Sequence, residues 1–476
     1  MRSAKSITLK KTKTLHCLWP AFLVLFSCAF LPAFSQDNSP YSRFGIGDLV
    51  PPTNVINRGL GGISAGYSDY LSINFNNPAS YSAFEAGLEK KSKKLVTGRA
   101  ILDVGMNFEN RTLKDQAKTG KFTASNALFS YVQVGVPLRK NWGLSFGLRP
   151  ISRISYKIIR NERLYNPLPP YGPIDSAITQ FQGDGGAYLA SIGTGFKVFQ
   201  KEKKYNLMER LSLGVNAGYL FGRKDYTSRR TLINDTVQYE AANYETKTNF
   251  SGLYFTTGIQ YQVPLNEEKR IMLNLGAFGN WSQTVNARRD QLRETFIYDE
   301  NIGYARLDSV SDMKDVKGKV VMPSSYTFGF VVQKYTVPNK QGGWLFGADF
   351  EMQNWDQYRI YGQTDSVKNK WEFRAGAQFN PIPKRNYFSY VSYRFGFFAG
   401  SDYIKVGQKL PVMGGSFGLG LPLVNKGRQS NQFTVINLCF EYSKRGNNDN
   451  LLKENMFRLS LGFSLSDIWF IKRKYD

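Results

Sequence analysis

From about residue 97 onward the chain alternates apolar and polar side chains in one stretch of roughly nine to twenty residues after another. The last stretch is the clearest. Phe457, Leu459, Leu461, Phe463 and Leu465 share one face of an extended strand, and Arg458, Ser460, Gly462 and Ser464 share the other. A period of two places successive side chains on opposite faces of a sheet, so each stretch has an apolar and a polar side. The pattern predicts an all-β chain folded as a transmembrane antiparallel β-barrel. It predicts about fourteen strands, near 97–112, 125–138, 142–160, 184–200, 209–224, 246–264, 270–290, 324–336, 343–358, 371–380, 387–399, 412–421, 433–444 and 455–466. Short connections at 139–141, 201–208, 265–269, 337–342, 381–386 and 422–432 separate longer polar ones at 161–183, 225–245 and 291–323. Outer-membrane barrels have this asymmetry of tight periplasmic turns and long external loops, and an even strand count returns both termini to the periplasm.

The short turns share a device. Val136-Pro137-Leu138, Val263-Pro264-Leu265, Val337-Pro338-Asn339 and Leu421-Pro422-Leu423 each place proline where a strand ends, because proline has no N–H to give to the ladder. Pro150 breaks the rule, since Leu144 to Ile159 otherwise reads as one continuous third strand. A proline there removes a ladder hydrogen bond and forces a bulge or kink, unless the strand simply breaks near the rim.

Strand faces define the interior. If Phe346, Ala348, Phe350, Trp371, Phe373, Tyr393, Phe395, Ile436, Leu438 and Phe440 meet lipid, then Asp349, Glu351, Glu372, Arg374, Arg394, Glu441 and Arg458 point inward. A Lys or Arg on the lipid face at mid-bilayer would cost about 2–4 kcal/mol, so this is the favourable orientation. Both signs are present, which suits a charge-paired network supporting a plug better than a catalytic site.

Composition admits this architecture. Apolar residues make up 42% of the chain and the mean hydropathy is −0.36. No run after residue 35 approaches the roughly 20 apolar residues of a membrane-spanning helix. A large soluble β-sandwich competes on these figures alone. Aromatic residues at 15%, with 44 Gly, favour strands that carry aromatic girdles outside and a crowded interior.

The N-terminus reads as an address. Arg2, Lys5, Lys10, Lys11 and Lys13 precede the apolar run Leu18 to Phe34, and Ala33-Phe34-Ser35 offers a cleavage site before Gln36. Residues 1–35 are thus expected to be a secretory signal peptide, with export to the outer membrane. Leu25-Phe26-Ser27-Cys28 resembles a lipoprotein box, but Phe26 fits it poorly and more apolar chain follows. Cleavage removes His16, the only histidine, with Cys17 and Cys28, and leaves Cys439. That excludes His-dependent nucleophiles, His-ligated metals, thiolate clusters and internal disulfides. Neither an enzyme nor a cofactor is expected.

With the five signal cations removed, the formal charge of +25 falls to +20. Lys201 to Lys204, Arg385 and Lys472-Arg473-Lys474 sit at turns or at the end of the chain, where membrane topology would put them. They fit phosphates of anionic lipid or lipopolysaccharide, and no nucleic-acid motif accompanies the charge. A solvated basic surface without a specific ligand explains it equally well.

Residues 36–95 lack the alternation that fills the barrel region 96–476. Arg58-Gly59-Leu60-Gly61-Gly62-Ile63-Ser64-Ala65 is followed by Ser68-Asp69 and by Asn76-Asn77-Pro78-Ala79-Ser80. No strand leads into the glycines and no Gly-Lys-Ser follows, which argues against a phosphate loop. The arrangement resembles the FadL-type outer-membrane transporters of long-chain fatty acids and aromatic hydrocarbons. In that family such a segment forms an N-terminal hatch plugging the barrel, and the resemblance implies hatch roles for Gly59, Gly61, Gly62, Asp69, Asn77 and Pro78. Met322-Pro323-Ser324-Ser325-Tyr326-Thr327-Phe328-Gly329, Asp349 with Asn354-Trp355-Asp356, Arg374-Ala375-Gly376 and Ser416-Phe417-Gly418-Leu419-Gly420 resemble later strands of the family. Pro40-Tyr41-Ser42-Arg43-Phe44-Gly45 and Trp469-Phe470-Ile471-Lys472-Arg473-Lys474 are similar to the ends of Bacteroidota outer-membrane proteins, although the chain lacks a terminal aromatic residue.

The resemblance implies passive uptake of a hydrophobic molecule, which enters between loops, occupies an apolar pocket above the hatch and leaves sideways through a gap made by a kink in the third strand. Pro150 lies on that strand. Relatives in Bacteroidota also include barrels that serve secretion or assembly machinery as subunits or carriers, and fold alone does not separate these uses. A transporter calls for a continuous apolar pocket; a partner-binding barrel calls for a hatch sealed by charge pairs.

Overall fold

The computed structural model describes residues 39–84, 86–88, 95–115, 120–165, 173–234, 239–299, 303–336, 341–407, 409–423 and 433–469. Fourteen strands in chain order form one closed antiparallel barrel. They are β1 (Leu95–Asp115), β2 (Lys121–Arg139), β3 (Trp142–Tyr165), β4 (Pro173–Glu202), β5 (Met208–Ile233), β6 (Ala241–Asn266), β7 (Ile271–Asn280, continued as Gln283–Asp299), β8 (Gly303–Met322, continued as Ser325–Lys334), β9 (Gly343–Gln353), β10 (Lys370–Asn380), β11 (Ser392–Ser401), β12 (Pro411–Leu423), β13 (Phe433–Arg445) and β14 (Leu452–Trp469). The barrel closes through an unbroken ladder between β14 and β1, from Leu452↔Asp115 to Trp469↔Gly98.

The alternation in the sequence is the alternation of faces. Phe346, Phe350, Trp371, Phe373, Phe395 and Phe440 are exposed on the outer surface, and Ala348, Tyr393, Ile436 and Leu438 are half-exposed there. Asp349, Glu351, Arg374, Arg394, Glu441 and Arg458 are buried on the inner one, with Glu372 half-buried beside them. An apolar exterior around a polar interior is stable in hydrocarbon, because the ladders satisfy the backbone and only apolar atoms meet lipid. Among the described residues no helix is long and apolar enough to cross a membrane.

The long connections differ from the expected loops. Most of 161–183 continues β3 and β4, paired as far as Tyr165↔Pro173. Most of 225–245 continues β5 and β6, and 291–323 continues β7 and β8. The pairing continues where the apolar alternation stops because ladder hydrogen bonds need no apolar side chain, and a hairpin in water is free to be polar on both faces. β3 to β6 contain 24, 30, 26 and 26 residues, whereas β9 to β11 contain 11, 11 and 10. A span needs only about 9–11, so one wall rises well above the membrane.

Local chemistry sets other boundaries. The strand expected over 343–358 ends at Gln353, before a 3-10 turn at Trp355–Gln357, and that expected over 387–399 starts at Ser392 after a turn at Tyr387–Tyr390. β7 and β8 are interrupted at the same level. There the ladder gives way to side-chain bonds, with Asn280 Nδ2 donating to the Pro323 carbonyl at 3.0 Å and Ser282 Oγ to the Met322 carbonyl at 3.0 Å. Pro137, Pro264 and Pro422 each lie within two residues of a strand end, and the register slips just after the first two. Lys201 lies within β4, one residue before its end and ahead of the 3-10 turn Lys204–Asn206, and Arg385 lies between β10 and β11. The expected signal peptide, Val337-Pro338-Asn339 and Lys472-Arg473-Lys474 lie outside the described residues.

Residues 39–84 contribute no barrel strand. They carry a 3-10 turn at Pro40–Arg43, a two-residue strand at Asp48–Leu49, a short helix at Val55–Gly59 and a second 3-10 turn at Pro78–Ala83. Most are buried. They bond to inward positions of β2 (Tyr131), β5 (Ser212), β6 (Gln260), β9 (Asp349), β12 (Ser416) and β14 (Glu454), which places them inside the barrel.

Candidate functional site

The interior is best read from its glycine turn outward. Asn54 caps the short helix by accepting from Asn57 N at 2.8 Å, and Asn57 Nδ2 reaches back to the Ile63 carbonyl at 2.6 Å. Gly59 ends that helix, where a Cβ would stand 3.1 Å from Gly418 Cα. Gly61 and Gly62 have φ of +71° and +93°, which favour glycine. A Cβ on Gly61 would also lie 2.7 Å from backbone atoms of Ala375 and Phe397, and one on the facing Gly396 would lie 1.8 Å from Gly61 N. Turn and wall therefore meet backbone to backbone.

Polar side chains fix this contact. The Asp349 carboxylate accepts from Ser64 N at 2.6 Å and Ala65 N at 2.8 Å. Gln260 Nε2 donates to the carbonyls of Ala65 at 2.9 Å and Tyr67 at 3.0 Å. Asn77 Nδ2 donates to Ala65 O at 2.8 Å and to the wall at Ile259 O, 3.2 Å, while its Oδ1 caps the turn that Pro78 opens. Asp69 is half-buried and organises its own loop, accepting from Leu71 N and Ser72 Oγ, each at 3.2 Å. It bonds to no strand among the described residues.

Charge pairs form the next layer. Arg374 bonds to Glu351 and, through Nε, to Glu372 at 2.7 Å, and Lys370 bonds to Glu372 at 3.0 Å. Arg458 joins Glu441 at 2.6 Å and Glu109 at 2.8 Å, and Arg58 of the N-terminal segment approaches Glu441 at 3.4 Å. Arg394 is different, for it donates to the amides Gln378 at 2.8 Å and Asn437 at 3.1 Å. The seven charged positions thus do not form one network: Glu351, Glu372 and Arg374 make one cluster, Glu441 and Arg458 another, while Asp349 holds the glycine turn and Arg394 pairs with amides.

A third cluster was not singled out in the sequence. Asp48 bridges Arg111 at 2.6 Å and Arg445 at 2.9 Å; both also bind Glu454, at 3.0 and 3.2 Å, and Arg445 reaches Asp402 at 2.8 Å. Burial pushes the Asp48 carboxyl up, but the two guanidiniums outweigh it and hold the group below the usual carboxylate range. The signal was present. Arg111, Arg445 and Glu454 lie two or four residues from Glu109, Glu441 and Arg458, on the same strand faces. Above Asp48 the segment is covered by aromatic packing, with Trp355 and Tyr403 ring centroids 4.1 Å apart and Tyr403 Oη donating to the Phe44 carbonyl at 3.1 Å.

A cavity of about 280 Å³ remains between these layers. Arg58, Arg111, Arg374, Glu441, Arg445 and Arg458 line it beside Pro52, Ile151 and Phe398. The lining is mixed: these charges interrupt apolar surface from Leu49, Ile151, Tyr254 and Met322, so it is not a continuous apolar pocket.

Pro150 stands at a break in the wall. On the β4 side pairing runs through it, Pro150↔Tyr188 and then Ser152↔Ala187, with Ile151 as the extra residue of a bulge. On the β2 side the ladder stops at Val132↔Leu148. Farther up, β2 pairs only with β1, and the free edge of β3 takes up the N-terminal segment instead, through Leu49↔Ser152 and Asp48↔Arg153. The gap between β2 and β3 is thus bordered by unpaired edges and partly filled by the residues that hold the Asp48 cluster.

Comparisons with known proteins agree with this architecture. No curated protein matches the sequence. A FadL homologue from Pseudomonas aeruginosa superposes with a TM-score of 0.50 at 13% identity, over 90% of this chain and 100% of that one. The P. putida toluene transporter TodX gives 0.47 at 12% identity, over 87% and 98%, and the CymD monoaromatic hydrocarbon channel 0.45 at 12%, over 88% and 98%. Of these, the likeness to the FadL homologue, at 13% identity, speaks for the fold alone. The family described as BamG matches residues 18–476, nearly the whole chain, and on that match the chain belongs to the BamG family.

Proposed function

We propose that this chain is a plugged outer-membrane barrel that serves a secretion or assembly complex as a subunit or carrier, rather than a conduit. One observation carries the reading: the lumen is filled by residues 39–84, and three charge clusters lie where a transporter needs an apolar pocket. Removing one partner from a buried ion pair costs about 3–5 kcal/mol, so a hatch held this way resists displacement by a hydrophobic solute. The experiment is affinity purification of the tagged chain from its own membrane in mild detergent. A partner in constant stoichiometric amount is the expected result. Its absence, combined with a deletion strain that loses uptake of labelled fatty acid or aromatic hydrocarbon, would overturn the reading.

A second reading rests on the open β2–β3 edge at Pro150. It is passive uptake of long-chain fatty acids or other hydrophobic compounds, with Gly59, Gly61, Gly62, Asp69, Asn77 and Pro78 as the gating hatch and release sideways past Pro150. The hatch would then have to leave the β3 edge. A double-cysteine cross-link between Leu49 and Ser152 should abolish uptake if this route operates and leave uptake unchanged if it does not.

A further inference from the structure

The bulge at Pro150 has a counterpart across the ladder. Gly185 and Gly186 of β4 face Ile154 and Arg153, with φ of +133° and +142°, and a bulged strand bends and twists more sharply. Outside this bend runs a groove of about 1150 Å³ that extends from β2 across β3 to β8.

Its outer-face residues change character at one level on β4, β5 and β6. On β4, exposed Ile192 and Tyr188 give way to Asp184; on β5, Val215, Tyr219 and Phe221 give way to Arg223; on β6, Ile259 and Leu253 give way to Ser251 and Asn249. On β7 and β8 the groove meets Asn286, Arg288 and Lys317 just above the exposed Trp281 and Tyr326. An apolar outer face turning polar marks the edge of the hydrocarbon, and aromatic residues collect there. Tyr188 and Phe221 stack at 5.9 Å, and Tyr219 and Phe221 at 6.4 Å, forming the groove's apolar floor.

The polar side carries Arg153, Arg223, Arg288 and Lys317 against the single carboxylate of Asp184. Arg223 is tied to Asp184 and Asp225, and Arg288 to Asp315. Arg153 and Lys317, at the two ends, make no salt bridge within 4.0 Å among the described residues, and Arg153 also lies near the carboxylates of Glu109 and Asp48. At the β2 end, Asn126 Nδ2 is buried with no hydrogen-bond partner.

We propose that this groove binds an anionic lipid of the leaflet on the side of the long hairpins. Its phosphate meets Arg153 and Asn126 at the β2–β3 end, and its acyl chains lie along Tyr188, Tyr219 and Phe221. A cation row directly above an aromatic floor matches a phosphate directly above a chain, and the groove is too long for an inorganic anion. The site shares Arg153 with the β3 edge that takes up the N-terminal segment, through Asp48↔Arg153.

The test is native mass spectrometry of the full chain in an uncharged detergent, with phosphatidylglycerol or phosphatidylcholine added. Preferential retention of phosphatidylglycerol is expected, and the variant Arg153→Gln should lose roughly five-fold in that retention. Added salt should weaken phosphatidylglycerol retention by the wild-type protein without affecting phosphatidylcholine, a readout that needs no variant. Equal retention of both lipids, unchanged retention by the variant, or insensitivity to salt overturns the proposal. So does complete displacement of the lipid by millimolar inorganic phosphate, which would make this a free-anion site.

Discussion

Asp48 and Gly61 show how single residues hold the interior. Replacing Asp48 by Asn leaves Arg111 and Arg445 facing each other across a lost charge, with Glu454, Asp402 and Glu109 to offset them. Because the Asp48 side chain is 18% exposed, the cost should fall near the bottom of the buried-pair range, about 2–3 kcal/mol, read as a lower urea midpoint in detergent. Its carboxyl is held below the usual range in the fold. Its stabilisation is therefore fully present above the unfolded carboxylate pKa, about 3.9, and disappears as pH falls through the folded value. Acid titration of unfolding should show a shallower loss in Asp48→Asn than in the wild type. Gly61→Ala combines a left-handed φ with backbone contacts on both sides. It should destabilise by about 2 kcal/mol or more, measured by the same unfolding, while Gly120→Ala, with open space around it, should change little. The glycines at 59, 61 and 62 were legible as a motif. Their strain was not, since φ and the nearness of Gly396 depend on a strand more than three hundred residues away.

At the scale of elements, β2 and β3 make the sharpest claim. Cysteines at 132 and 148, opposite one another in the last ladder pair, should form a disulfide in a Cys439→Ser background, because paired strands bring Cα atoms within the roughly 4.4–6.8 Å that a disulfide requires. Cysteines at 128 and 152 would pair if the ladder continued. They should remain reduced, because β2 leaves β3 at Pro150, and a disulfide there would refute the gap. Pro150 was visible as an interruption of a strand, for a missing N–H is a property of the residue itself. Which neighbour it loses was not visible, because either edge of β3 was equally available to proline chemistry. The long hairpins were misread as loops for a related reason. Period-two alternation reports a boundary between water and lipid, and the upper halves of β3 to β8 have water on both sides.

For the whole molecule, the filled lumen predicts electrical silence. Planar-bilayer recordings of the wild-type protein should show no large, steady, water-filled conductance, and a porin-like step would contradict the packing around Asp349, Glu441 and Asp48. Strand number, closure and the direction of each face were legible in the sequence, because lipid outside and polar groups inside impose a period of two on every spanning residue. The same parity gave the inward position of Asp349, Glu351, Glu372, Arg374, Arg394, Glu441 and Arg458. Tertiary structure alone decided their partners, dividing them into separate clusters and adding Asp48, Arg111, Arg445 and Glu454, because a strand position fixes which face a charge occupies but not which strand or plug residue comes to meet it. It also decided that the chamber mixes charged and apolar walls, since these come from segments at both ends of the chain. Alternation is a local consequence of the solvent on each face, whereas pairing is a consequence of closure.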